Sequence, residues 1–175
     1  MFFCAQLNDA FVPKKEIDNG KFIRNPERPS RLKLVYEFLK KNYPEVQPLG
    51  FSESVLYLAH EEDYIEYIKR KSSEVTQEYI PEVFFVDKIF DTGTPINKET
   101  YKAAFGAVET VLSALEYSLS NKVIVYALTR PPGHHAMKKY GGGYCYFNNV
   151  AIAAKYLEEK GMRVAILDLD FHHGN

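Results

Sequence analysis

A chain of 175 residues with 46% apolar side chains is long enough to bury one sizeable core, and its formal charge of −1 gives no footing for nonspecific binding to nucleic acid. Two cysteines, Cys4 and Cys145, are too few for a disulfide framework, so a reducing, cytoplasmic compartment is expected. The start Met1-Phe2-Phe3-Cys4 lacks the basic and long apolar regions of a secretory signal, and no run is long enough to span a membrane.

Phe2-Phe3-Cys4-Ala5 reads as a first short strand, and residues 9–25 read as a polar loop with Pro13 and Gly20. Pro29 suits the first turn of a helix reaching about Lys41, with Leu32, Val35, Tyr36 and Leu39 on its inner face. Residues 55–59, Val-Leu-Tyr-Leu-Ala, fit either a short strand or a helical turn. The pattern predicts a helix over 61–72 with Tyr64, Ile65 and Ile68 inward, while Glu62, Glu66 and Arg70 make a solvated ladder. A long helix over 97–119 carries Ala103, Ala104, Gly106 and Ala107, small enough for close packing on a sheet.

Residues 123–128, Val-Ile-Val-Tyr-Ala-Leu, read as a buried strand, followed by Arg130-Pro131-Pro132-Gly133-His134-His135-Ala136. The two prolines stiffen the approach, and Gly133 permits a backbone path that a side chain would block, so the imidazoles are held in place. After Gly141-Gly142-Gly143, a helix over 148–160 places Val150, Ala151, Ala154 and Leu157 at helical spacing. Asn148 or Asn149 can cap its start and Gly161 can close its end. The apolar run 164–167 reads as another buried strand, which makes 123–168 a βαβ unit with parallel strands and a right-handed crossover.

That strand runs into Asp168-Leu169-Asp170-Phe171-His172-His173-Gly174-Asn175. Asp168, Asp170 and His172 alternate, so in an extended chain they point to one side. Zinc accepts carboxylate oxygen and neutral imidazole nitrogen, which makes Asp170 and His172 candidate ligands and Asp168 a carboxylate that orients a neighbouring histidine. An isolated Asp-x-His is more often an inert strand end. The upstream histidine pair outweighs that reading, because ligands of an open parallel sheet bind outside the carboxyl ends of its strands, where both clusters lie. Cys145 sits inside the glycine-rich motif but reads as a small buried hydrophobe rather than a nucleophile.

Residues 130–136, Arg-Pro-Pro-Gly-His-His-Ala, 142–149, Gly-Gly-Tyr-Cys-Tyr-Phe-Asn-Asn, and 168–175 together resemble the histone deacetylase superfamily of zinc amidohydrolases. Within it the chain is most similar to the class II and bacterial branch, which includes the acetylpolyamine amidohydrolases. Residues 25–31, Asn-Pro-Glu-Arg-Pro-Ser-Arg, and 91–96, Asp-Thr-Gly-Thr-Pro-Ile, also look like segments of bacterial members. The resemblance implies an α/β class with three layers, a parallel sheet flanked by helices, known as the arginase/deacetylase fold. Residues 1–175 would be the amino-terminal portion of a single deacetylase domain, a truncated form of it. Later strands of that fold insert between the third strand and the fourth, so the strand at 164–168 is expected to lack its neighbours. Open parallel edges invite pairing with another chain, a homo-oligomer included.

The resemblance also implies roles. Asp170 and His172 would bind Zn2+, and a structural K+ would lie among the oxygens around Asp168, Asp170 and His172. His134 would pair with Asp168, and His135 with the amide of Asn175. His135 would be the general base and His134 its electrostatic or acid partner. Gly143 and Tyr144 would contact substrate, Tyr144 as an aromatic wall of an acyl-lysine tunnel. The third metal ligand, another aspartate, and the tyrosine that stabilises the oxyanion lie further along the family's sequence, so the chain alone is expected to be inactive. The implied reaction is hydrolysis of an acetyl amide, on acetylated lysine or an acetylated polyamine. Glu16, Asp18 and Asp91 are candidate acidic residues near the tunnel mouth that would favour the polyamine. An arginase-type manganese hydrolase would need a carboxylate two residues after His172, where Gly174 stands. A noncatalytic module that binds acetylated ligands or a partner chain is the remaining alternative.

Overall fold

The structure, a computed structural model, describes residues 1–82 and 87–175. Its elements run β1 (Phe2–Ala5), β2 (Lys15–Asp18), β3 (Lys21–Arg24), α1 (Ser30–Asn42), β4 (Glu45–Val46), a 3-10 helix (Glu53–Leu58), α2 (Glu62–Glu74), α3 (Thr100–Asn121), β5 (Val125–Leu128) and α4 (Asn149–Glu159). A parallel sheet is built in the order β4-β1-β5, with β1 central.

Alternation along β1 makes the layers. Phe3 and Ala5 pack with Leu128 of β5 and with Leu39 of α1, and Leu32 and Tyr36 cover them partly. Phe2 points the other way, its ring 5.2 Å from that of Tyr117 in α3. One sheet therefore lies between two helices, as the three-layer α/β reading requires. Ala103, Ala104 and Ala107 of α3 are buried, and Gly106 leaves room for the Gln6 side chain that a Cβ would strike. The larger core lies beside the sheet, where Ile65 and Ile68 of α2, Leu112 of α3 and Ile152 of α4 meet Tyr146 and Phe147. No helix among the described residues is long and apolar enough to cross a membrane.

Three expectations change, and one open alternative resolves to the helical turn. Residues 15–24 are not plain loop but an antiparallel hairpin, turned by Asn19 and Gly20 at φ +48° and +73°. Asn-Gly is the residue pair a two-residue hairpin turn favours, because both central residues need positive φ. The ambiguous stretch at 55–59 lies largely in the 3-10 helix, whose start is capped by Ser52 Oγ accepting Ser54 N–H. Val35 and Val150 face outward, and Ile152 supplies the inner face of α4 in place of Val150. The largest difference is at 164–168, which joins no ladder with the described strands: its apolar Ile166 and Leu167 are exposed. A strand needs a hydrogen-bonded neighbour, and β5 is not that neighbour, so the βαβ unit is not closed by direct pairing.

Candidate active site

The histidine loop leaves the end of β5 and is fastened at both ends. At its start the buried Arg130 donates to the carbonyls of Asn8 and Phe11. At its far end His60 Nδ1 meets Met137 O at 2.9 Å, while its Nε2 accepts Asn148 N–H at 2.9 Å. Asn148 in turn donates to Ala136 O and caps α4 by accepting Ala151 N–H. Between these anchors Gly133 lies against the start of α4 so closely that a Cβ would sit 2.7 Å from Asn149 N and Phe147 O.

Burial lowers the pKa of His60 to about 4, with the carbonyls of Met137 and Lys138 opposing the shift. Because the folded pKa is below the ordinary 6.5, stability is fully present above that pH and declines as pH falls toward about 4. Urea denaturation is expected to show about 2 kcal/mol less stability at pH 5 than at pH 7 from this group. His60→Gln should flatten that difference; an unchanged pH dependence would reject the assignment.

The second cluster approaches the first through side chains rather than strand pairing. His134 Nδ1 and Asp168 Oδ2 are 2.9 Å apart. Asn175 latches onto the tandem with its N–H to His134 O at 3.0 Å, its Nδ2 to His135 O at 3.0 Å and its Oδ1 3.5 Å from His135 Nδ1. The imidazoles of His134 and His135 are 4.1 Å apart between centroids. Asp168 and Asp170 each accept the N–H two residues on, from Asp170 and His172, which turns the chain back toward the histidines. The His134 hydrogen bond first, then the Asp170 N–H, holds the Asp168 carboxyl below the usual range. The His172 backbone N–H does the same for Asp170.

Asp170 Oδ1 lies 3.5 Å from His172 Nδ1 and 4.0 Å from His134 Nε2. Two donors on one tetrahedral zinc, each about 2.0–2.1 Å from it, are roughly 3.3 Å apart, so the Asp170 and His172 pair has the chemistry and the bite for two of its ligands. Among the described residues no group of three or more His, Cys, Asp or Glu is arranged to hold a metal.

Gly143 and Tyr144 form the adjoining wall. Both have positive φ, +57° and +66°, and both are tied down: Gly143 N–H donates to Asp91 Oδ2 and Tyr144 N–H to Thr94 Oγ1. Asp91 also accepts from Gly93 N–H and Thr94 Oγ1, so its carboxylate is a structural tether. A cleft of about 760 Å3 joins the histidines, Asp170, His172, Gly143 and Tyr144 to the hairpin, which contributes Glu16 and Asp18 on its other side. Burial raises Glu16, Tyr144 opposes, and Asp91 and Asp18 add to the rise. Burial and Glu16 push the Tyr144 phenol up to about 12. Cys145 stays a thiol, its pKa pushed up to about 12 by burial.

Every candidate named from the sequence therefore reaches this cleft or its immediate support. Two supports were not read there: the hairpin, for which Asn19-Gly20 was the available signal, and His60, which no motif marks.

A histidine tandem at the end of a parallel-sheet strand, met by an Asp-x-His turn in one cleft, defines a class, and the chain belongs to the histone deacetylase family: the histone deacetylase domain matches residues 25–175. Among its relatives, acetylpolyamine amidohydrolase 2 of Pseudomonas aeruginosa is 31% identical over 186 residues, covering 93% of this chain and 54% of that protein. Histone deacetylase 8 of Arabidopsis thaliana is 40% identical over 108 residues, 57% of this chain and 29% of its own. The crystal structure of acetylpolyamine aminohydrolase from Burkholderia pseudomallei superposes with a TM-score of 0.80 at 24% identity, over 91% of this chain and 53% of that one, a likeness of fold. The chain spans about half the length of the amidohydrolases it matches.

Proposed function

We propose that this chain carries the acid–base half of a zinc-dependent amidohydrolase whose substrate is an acetylated polyamine. The observation that carries the reading is the meeting of His134, His135 and their partners with Asp170 and His172 in one cleft. Asp170 and His172 would hold the metal, with further ligands from outside the described residues. The metal, when bound, supplies Lewis-acid polarisation of an acetyl carbonyl and a lowered water pKa. A K+ at the oxygen-rich turn around Asp168, Asp170 and His172 is part of the same proposal.

His135 faces the neutral amide of Asn175 through Nδ1, which leaves Nε2 to accept a proton from the attacking water and to return it to the leaving amine. His134 faces the Asp168 carboxylate, which orients its ring beside the reacting centre. Tyr144 flanks the acetyl chain. Glu16, Asp18 and Asp91 line the same cleft against Arg31, an acidic excess that a substrate ammonium would complement. That favours an acetylated polyamine over the acetyl-lysine of a protein, in keeping with the names of the amidohydrolase relatives.

The test compares this chain with a form extended at its carboxyl end to the length of its relatives. The extended form is expected to bind one zinc and hydrolyse an acetylated diamine, while the shorter form does neither. Glu16→Gln with Asp18→Asn should raise KM for the acetylated diamine by about fivefold, from roughly 1 kcal/mol of lost attraction, and leave KM for an uncharged acetyl-lysine peptide unchanged. An extended form without zinc would sink the amidohydrolase reading. Equal effects on both substrates would sink the polyamine assignment, and zinc binding without hydrolysis would favour a binding module.

A further inference from the structure

The geometry points to the buried pair of Glu27 and Arg130 as a positioning device for the histidine tandem, an inference that rests on the amidohydrolase reading. Neither residue reaches the cleft. Arg130 lies four residues before His134, and both side chains are 2% exposed, with Nε 2.6 Å from Glu27 Oε1.

Arg130 is fixed from several directions. Its guanidinium donates to Asn8 O at 3.1 Å and to Phe11 O, and stands 5.0 Å from the centroid of the Phe11 ring. Its own carbonyl accepts Asn8 Nδ2 at 3.1 Å. Glu27 is placed from the other side: its N–H donates to Asn25 Oδ1, and Asn25 Nδ2 donates to Gly93 O at 2.9 Å. Gly93 belongs to the loop whose Asp91 and Thr94 tether Gly143 and Tyr144. The pair thus connects the base of the histidine loop with the support of the opposite wall.

Stability does not account for it. Burying two charges is expensive, and replacing such a pair by apolar side chains is commonly neutral or stabilising. The Nε contact is a charge pair rather than an aligned hydrogen bond, since among the described residues Arg130 Nε and both Glu27 oxygens lack a hydrogen-bond partner. Burial raises the Glu27 carboxyl, and Arg130 works against that rise, with Arg31 at 3.9 Å adding a smaller pull. What the pair supplies is direction, a fixed guanidinium at the point where the chain turns toward His134 and His135.

The experiment reads the histidine rings directly, by two-dimensional NMR of histidine-labelled protein in the parent, in the Glu27→Leu/Arg130→Met double variant and in Glu27→Gln. The double variant is expected to melt within a few degrees of the parent, while the ring signals of His134 and His135 broaden or split and those of His60 stay in place. Glu27→Gln, which keeps the volume but leaves the Arg130 charge unpaired, should melt lower and show the same ring signals in its folded state, and it carries the test if the double variant fails to fold. In a form that hydrolyses acetyl amides, kcat should fall at least tenfold in either variant with KM unchanged. Sharp tandem signals at their parent positions in a folded variant would overturn the proposal. The rings are read without turnover, so an extended form that hydrolyses nothing would reject the amidohydrolase reading and leave this result intact.

Discussion

His135→Ala is expected to lower kcat for acetyl-amide hydrolysis by about two to four orders of magnitude, the usual contribution of a positioned general base. The argument starts from its partners. Asn175 Oδ1 is 3.5 Å from His135 Nδ1, and Asn175 Nδ2 holds the His135 carbonyl, so one amide orients both the ring and its backbone. The removed imidazole stands beside His172 with ring centroids 6.0 Å apart and supplies neither of the two candidate ligands, so zinc uptake should be little affected. His134→Ala should act differently, because His134 Nε2 is 4.0 Å from Asp170 Oδ1 and its loss also frees Asp168. Its kcat should fall less, because His135 remains to accept the proton, and zinc affinity should change. Zinc stoichiometry and kcat measured on both variants check the division. A larger loss in His134→Ala with zinc unchanged would reverse the two roles.

The contrast between the tandem and its supports shows which parts of the fold are written locally. Amphipathic spacing located α1 to α4, because burial of one stripe is what holds a helix in a protein. It misjudged single positions such as Val150 and Ile152, where the width of the buried stripe depends on the neighbour: α4 packs beside α3 and the 3-10 helix, and Ile152 is the residue that reaches them. The strand expected at 164–168 fails for a related reason. Its composition is right for a strand, but a ladder is a property of two segments, and β5 pairs with β1 instead. Leu169 and Phe171, 85% and 95% exposed, continue the same uncovered surface. The site was more legible than the sheet. Asn148 is demanded by a cap three residues on and Gly143 by the close approach of nearby His135, so the motif carries much of its own geometry, while Asn175 reaches 40 residues back to His135. His60 was illegible because its two bonds reach residues 77 and 88 positions away.

Gly143→Ala is expected to cut kcat about a hundredfold, the scale at which a misplacement of about 1 Å near the reacting centre acts. Two effects combine at this position. With φ at +57°, any Cβ meets left-handed strain of roughly 1–2 kcal/mol. That Cβ would also lie 2.8 Å from Cγ and 3.1 Å from Cβ of His135, inside contact distance. The backbone cannot retreat, because Gly143 N–H is bound to Asp91 and Tyr144 N–H to Thr94, and Tyr144 shares the left-handed turn. The imidazole therefore gives way, carrying Nε2 from its proton-accepting position, while Asp170 and His172 are untouched. Gly161→Ala separates the two effects, since Gly161 has φ +75° with nothing within 4 Å of its added Cβ. Thermal melting should fall by a comparable amount in both variants, by a few degrees for about 1 kcal/mol. Only Gly143→Ala should lose kcat. If the two variants kept equal activity, the contact between Gly143 and His135 would have no part in placing the base.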